Sequence, residues 1–214
     1  MRGRWLAGVL VGLCALVGCT TQVAGQAVPA AGSGAAPGPA GACRTADLMG
    51  CIVAAPAGAQ TYPTPLGPNG VVTTHQFLAA FYPDDAQYDN QIADQLQTEG
   101  LRSVAHRNWE VDGGDQVDIV LLGFASESGA RDRAQVVEES TQRDPTLTTF
   151  SGTGMPSGVL AYVDRTVDKY GNIGVRAYAA YGQVEMEFNY FRPQSLDAAD
   201  LTAQISREVQ LLKG

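Results

Sequence analysis

Residues 184–191 read Val-Glu-Met-Glu-Phe-Asn-Tyr-Phe. Val184, Met186, Phe188 and Tyr190 alternate with Glu185, Glu187 and Asn189, the two-residue period of a strand with one covered side. A lone strand of this kind is unstable in water, so the chain must supply partner strands and a layer to bury the apolar side. Partners are close at hand. Residues 102–111 and 116–124 flank Asp112-Gly113-Gly114-Asp115, the turn chemistry of a hairpin. Within the second arm, "DIVLLGF" at 118–124 is apolar on both faces and reads as an inner strand. "LTTF" at 147–150 is a short strand, and "VLAYVDRTV" at 159–167 and "IGVRAYAAY" at 173–181 are longer ones joined through 168–172.

Helices fill the gaps. Thr74 suits the cap of a short helix carrying Phe77, Leu78, Phe81 and Tyr82, which Pro83 stops. A second runs from Asp84 to Glu99 with Tyr88, Ile92 and Leu96 on one side, and Gly100 is its left-handed stop. Ser126 caps a third, extending to Arg143 and packing through Ala130, Ala134 and Val137. Ser195 caps a last one, with Leu201, Ile205, Val209 and Leu212 at core spacing. The predicted order is α-α-β-β-α-β-β-β-β-α. Hairpin-linked strands imply an antiparallel sheet, so the expected class is α+β with the helices packed on one face.

The globular part is assigned to residues 71–214. Residues 43–70 precede it as an irregular arm, because Pro56, Pro63, Pro65 and Pro68 forbid a regular helix or inner strand. Tyr62, Leu66 and the cysteine pair favour its packing across the domain over a continued linker, closing a groove between sheet and helices. Residues 20–42 carry no charge and no aromatic ring, only Ala, Gly, Pro and small polar groups, which cannot bury enough surface to order themselves. With Cys19 they form a flexible tether, residues 19–42. Residues 1–18 read as an export signal: Arg2 and Arg4, then the uncharged apolar run Trp5–Val17, then Gly18. That run is shorter than the roughly 20 residues a spanning helix needs.

Leu16-Val17-Gly18-Cys19 resembles the lipobox of bacterial lipoproteins, and "CTTQVAGQAVPA" after it is similar to the opening of exported lipoproteins of high-GC Gram-positive bacteria. The resemblance implies cleavage before Cys19, a diacylglyceryl group on its sulfur, and a place on the extracytoplasmic face of the cell membrane. Charge is consistent with a lipid requirement. The whole chain has 14 Lys+Arg against 22 Asp+Glu; without the two signal arginines the balance falls from −8 to −10. Anionic headgroups repel such a protein, so attachment must come from hydrocarbon, and two acyl chains suffice. The same balance, with no basic face, excludes nucleic acid. A monomer is expected.

Cys14 leaves with the signal and Cys19 is used by lipid, which leaves Cys43 and Cys51 as one local disulfide of an exported chain. Their spacing is not C-x-x-C, and no histidine lies near, so a metal or redox pair is not expected.

Catalytic chemistry is thin. His106 shares a strand face with Val104, Asn108 and Glu110, and the plain structural reading is a partly exposed strand histidine. Glu110, Asp112, Asp115 and Asp118 cluster around the hairpin without calcium-loop spacing. Glu185 and Glu187 lie about 7 Å apart on one pleated face, within a glycosidase's geometry, but a lone E-x-E is a weak signal and an exposed sheet face is the expected reading. "SGTGMPSG" at 151–158 lacks the lysine of a phosphate loop, and no G-x-S-x-G elbow or H-E-x-x-H occurs in the globular part. Tyr162, Tyr170, Tyr178, Tyr181, Tyr190 and Phe191 concentrate in the last strands and suit either core or recognition. The expected function is a non-catalytic module of the cell envelope binding a small hydrophobic ligand or a partner protein, with no cofactor and no metal. The alternatives are an anchored hydrolase using His106 with nearby carboxylates, or a structural envelope protein.

Overall fold

The computed structural model describes residues 43–81, 86–111, 114–164, 166, 171–193 and 197–214. The signal, the tether, Cys19, Pro83, Asp112, Tyr170 and Ser195 lie outside the described residues. A short 3-10 turn, Leu48–Cys51, is followed by β1 (Gly70–Val72), α1 (Thr74–Phe81), α2 (Ala86–Glu99), β2 (Leu101–Val111) and β3 (Asp115–Phe124). Then come α3 (Glu127–Gln142), β4 (Leu147–Thr149), β5 (Leu160–Asp164), β6 (Asn172–Tyr181), β7 (Val184–Pro193) and α4 (Ala198–Lys213). The seven strands form one sheet in the order β1-β2-β3-β7-β6-β5-β4, and every neighbouring pair is antiparallel. The fold is α+β, and the predicted order holds apart from β1. Three residues are too few to show an alternation, and β1 is a strand only because β2 pairs with it.

The expectation that the helices share one face is corrected. Leu201, Ile205, Val209 and Leu212 of α4 bury against Trp109, Ile119, Met186 and Phe188 on one side of the sheet. Phe77, Leu78, Ile92, Leu96 and Ala130 of α1, α2 and α3 bury against Val104, Val120 and Leu122 on the other. The physical reason was written in β3, whose residues 119–122 are all fully buried: a strand apolar on both faces needs cover on both.

Helix ends follow side-chain chemistry. Thr73, not Thr74, caps α1: its hydroxyl accepts from Gln76 N–H at 3.1 Å while Gln76 Oε1 accepts from Thr73 N–H at 2.8 Å, a reciprocal capping box. Ser126 caps α3 as expected, accepting from Gly129 N–H at 3.1 Å. Asp197 caps α4, accepting from Ala199 and Asp200 N–H at 2.9 and 3.1 Å. Gly100 closes α2 at φ +86°, a conformation side chains resist. Gly129 has no alternative either, since a Cβ there would strike the carbonyl oxygen of Glu99 where α2 meets α3.

The proline-rich arm docks. Leu48, Cys51 and Ile52 are buried in the α4-side cluster, and Leu66 in the opposite one. The arm crosses between the two faces at the β2 edge, where Gln60 pairs with Glu110. The Asn69 side chain bonds Asn108 there through both N–H and carbonyl, at 2.8 and 3.0 Å. With β1 on residues 104–106, most of that edge is occupied, which removes a template for aggregation. Cys43 and Cys51 form a disulfide at the root of the arm.

Candidate binding cleft and the buried charges behind it

Alternation brings the cleft together. Trp109 of β2 faces Val117 of β3, which faces Tyr190 of β7, and Phe188 follows one step along beside Ile119. Trp109, Val111, Val117, Phe188 and Tyr190 make an aromatic and aliphatic floor. Val53, Ala54 and Pro56 of the arm form one wall; Asp200, Gln204 and Arg207 of α4 form the other. The space enclosed is about 310 Å³, at the lower end for small-molecule sites. Asp115 borders it, accepting from the Tyr190 hydroxyl at 2.9 Å and lying 3.4 Å from Arg192 Nε. Burial, then the bond to Asp115, raises the Tyr190 hydroxyl far above the ordinary tyrosine range, so it stays a neutral donor. An open groove of about 550 Å³ lies between α3 and strands β5–β6, bordered by Arg131, Glu138, Gln142, Leu160 and Tyr178.

Two ionisable side chains hold the arm against the cleft. Arg107 Nη1 donates to the carbonyls of Ile52 and Val53, both at 2.7 Å. Glu208 of α4 accepts from Val53 N–H at 2.9 Å. Burial raises the Glu208 carboxyl to about 7, against the opposing pull of the Val53 N–H and of Arg107.

The candidates singled out by residue type lie on the other side of the sheet. His106 is fully buried, where a partly exposed residue was expected. Its Nε2 is 3.0 Å from Asp118 Oδ1, out of line for a hydrogen bond. Glu110 accepts from Gln116 Nε2 at 2.9 Å at the sheet edge. Asp112 lies outside the described residues. Glu185 and Glu187 do not form an exposed face, because α3 covers them and Arg133 approaches Glu187 Oε1 at 3.7 Å. Glu185 is wholly buried with neither carboxylate oxygen hydrogen-bonded. Desolvation first, then the neighbouring Glu187, pushes its carboxyl well above the ordinary range.

These groups do not converge as a catalytic set. His106 and Glu187 occupy one row with Val120 between them, so two strand spacings, roughly 10 Å, separate their backbones. The aromatic residues divide: Tyr162 and Tyr178 pack on the α3 side, Tyr190 under α4, with Tyr181 and Phe191 half-buried. Burial pushes the Tyr178 hydroxyl up to about 12.

Arg107, Arg133 and Glu208 were missed from sequence. Their signal was present: each is a charge inside an apolar stripe, Arg107 between Ala105 and Trp109, Arg133 beside Ala130, and Glu208 between Ile205 and Val209. A charge in such a position is retained only with a partner. The cleft's α4 wall carried no signal, since Asp200, Gln204 and Arg207 read as a solvated helix face.

Among the described residues, no helix is long and apolar enough to cross a membrane, and no group of three or more His, Cys, Asp or Glu side chains is arranged to hold a metal ion. No protein-family description matches the chain, and no curated protein matches it. Among solved structures it is similar to the extracellular domain of PknH from Mycobacterium tuberculosis, at 10% identity and a TM-score of 0.50, over 80% of this chain and 96% of that one. At that identity the likeness is one of fold.

Proposed function

We propose that this chain is an exported lipoprotein, anchored through a diacylglyceryl group on Cys19 to the extracytoplasmic face of the cell membrane, whose folded domain binds a small, largely apolar ligand without transforming it. The observation that carries the binding reading is the cleft over Trp109, Phe188 and Tyr190, walled by the docked arm and α4. Its apolar floor supplies affinity, and a few polar groups at its border orient what enters. Export is supported by the Cys43–Cys51 disulfide, a bond of oxidising compartments. The extracellular domain of PknH, which shares the fold, is consistent with such a place. The hydrolase alternative has less support, because His106 has no exposed atom to offer a substrate and Val120 stands between it and Glu187.

Two experiments test the two halves. Cys19→Ala is expected to move the protein out of the membrane fraction and abolish palmitate labelling; retention of both would sink the anchor. For the cleft, small molecules retained by protein purified from its native envelope are extracted and identified by mass spectrometry. Gln204→Trp, which fills the cleft from the α4 wall, is expected to lose them. Equal retention by that variant would place the ligand elsewhere.

A further inference from the structure

The cleft wall formed by the arm is held differently from the rest of the core. Residues Val53–Pro56 contribute no fully buried side chain; Val53 is half-buried and Ala54 and Pro56 are exposed. Apart from Val53 resting on the edge of the core, what fixes this segment is polar: Arg107 on the carbonyls of Ile52 and Val53, and Glu208 on the N–H of Val53. Glu208 itself is fully buried, and its second oxygen, Oε1, has no hydrogen-bond partner. A carboxylate in that position is costly to keep charged while the arm is closed and is relieved when the arm lifts and water reaches it.

We propose that residues Val53–Pro56 are a strap over the binding cleft, closed by the Arg107–Glu208 clamp, which acid tightens and neutral pH loosens. The charged groups around Glu208 are few. Arg107 faces it from β2, and the strap presents backbone only. From β6 and β7 the α4 face receives Val175, Ala177, Met186, Phe188 and Tyr190, whose hydroxyl is engaged by Asp115. Asp47, exposed, caps the 3-10 turn at the strap's root. With the strap closed, Glu208 keeps its proton up to about pH 7; lifted into water, it reverts towards its ordinary value of 4.5. Below 4.5 both states are protonated and opening is independent of pH. Between 4.5 and 7 only the open state is ionised, so opening grows by up to about tenfold per pH unit and levels off above 7.

The functional meaning of the strap rests on the cleft being the ligand site, but its test needs no ligand, so the two readings fail separately. Deuterium exchange of the full chain is followed by mass spectrometry and corrected for intrinsic rates. Protection of the Val53 amide, which donates to Glu208, is expected to fall about tenfold or more between pH 5 and pH 7, while Ile119 and Leu121 keep theirs. In Glu208→Gln the pH dependence of the strap is expected to vanish. Constant protection of the wild-type strap, an unchanged pH dependence in the variant, or loss of protection by β3 in step with the strap would overturn the proposal. The wild-type carboxyl carbon of Glu208, followed by NMR, supplies a reading that needs no variant: a midpoint near 4.5 in place of one near 7 overturns it as well.

Discussion

The two faces of the sheet are built from the same strands and solve opposite problems. On one, three helices close over Val104, Val120 and Leu122, and ionisable groups are buried or half-buried among them: His106 beside Asp118, Arg133 beside Glu187, and Glu185 next to Glu187 without a hydrogen bond. On the other, a single helix and an arm cover a largely apolar and aromatic floor, with Arg107 and Asp115 at its margins, and leave a cleft between them. The histidine and carboxylates singled out by residue type therefore lie away from the cleft, whose floor is made of residues that look like core. Complete cover makes a charge expensive and inert, whereas partial cover makes an apolar surface available.

The comparison breaks first at the floor. Phe188→Ala removes a fully buried ring between sheet and α4 and is expected to cost about 3–5 kcal/mol in urea unfolding. A loss below about 1 kcal/mol would mean that α4 is not the true cover of that face. Next is the arm. Replacing Cys43 and Cys51 by serine opens a loop with a sequence separation of 8 and is expected to cost roughly 2–3 kcal/mol. Limited proteolysis should then cut first within residues 52–59, leaving the α1–α3 side intact; cleavage in α2 or α3 first would contradict the assignment of the arm as the weaker cover.

The sealed side is sharpened by a gain. Glu185 holds its proton in the folded state at pH values where the unfolded chain has released it, so its contribution is fully present below its ordinary value of 4.5 and is lost as pH rises through the raised folded value. Glu185→Met, which keeps the volume and drops the unsatisfied carboxyl, is expected to stabilise by about 1–3 kcal/mol, more at pH 8 than at pH 5. Urea titrations at both pH values check it. Destabilisation at pH 8 would show that Arg133, with Glu99 near it, needs the ionised Glu185.

Much of the architecture was legible. The alternation of Val184–Tyr190, the double-sided apolar run of β3, the Gly100 stop and the Ser126 cap each name a local state that the structure adopts, because each depends on neighbours within a few residues. What was not legible depended on partners far along the chain. β1 exists through β2, some 35 residues later. The arm is ordered by Arg107 and Glu208, 54 and 155 positions beyond Val53. Glu185 and Glu187 looked solvent-facing because strand periodicity separates two faces without saying what covers either.

By itself the sequence determined most of the helices and strands, β1 excepted, that the strands pair antiparallel, and that Cys43 and Cys51 form a local pair. These are consequences of backbone sterics, side-chain period and composition, all read over short windows. Only the tertiary structure decided that helices divide between the two faces, which residues dock the proline-rich segment, and that the cleft lies over Trp109 and Tyr190 while His106 is sealed behind them. Burial is a property of what packs on a residue, and packing joins positions whose separation in sequence no local pattern records.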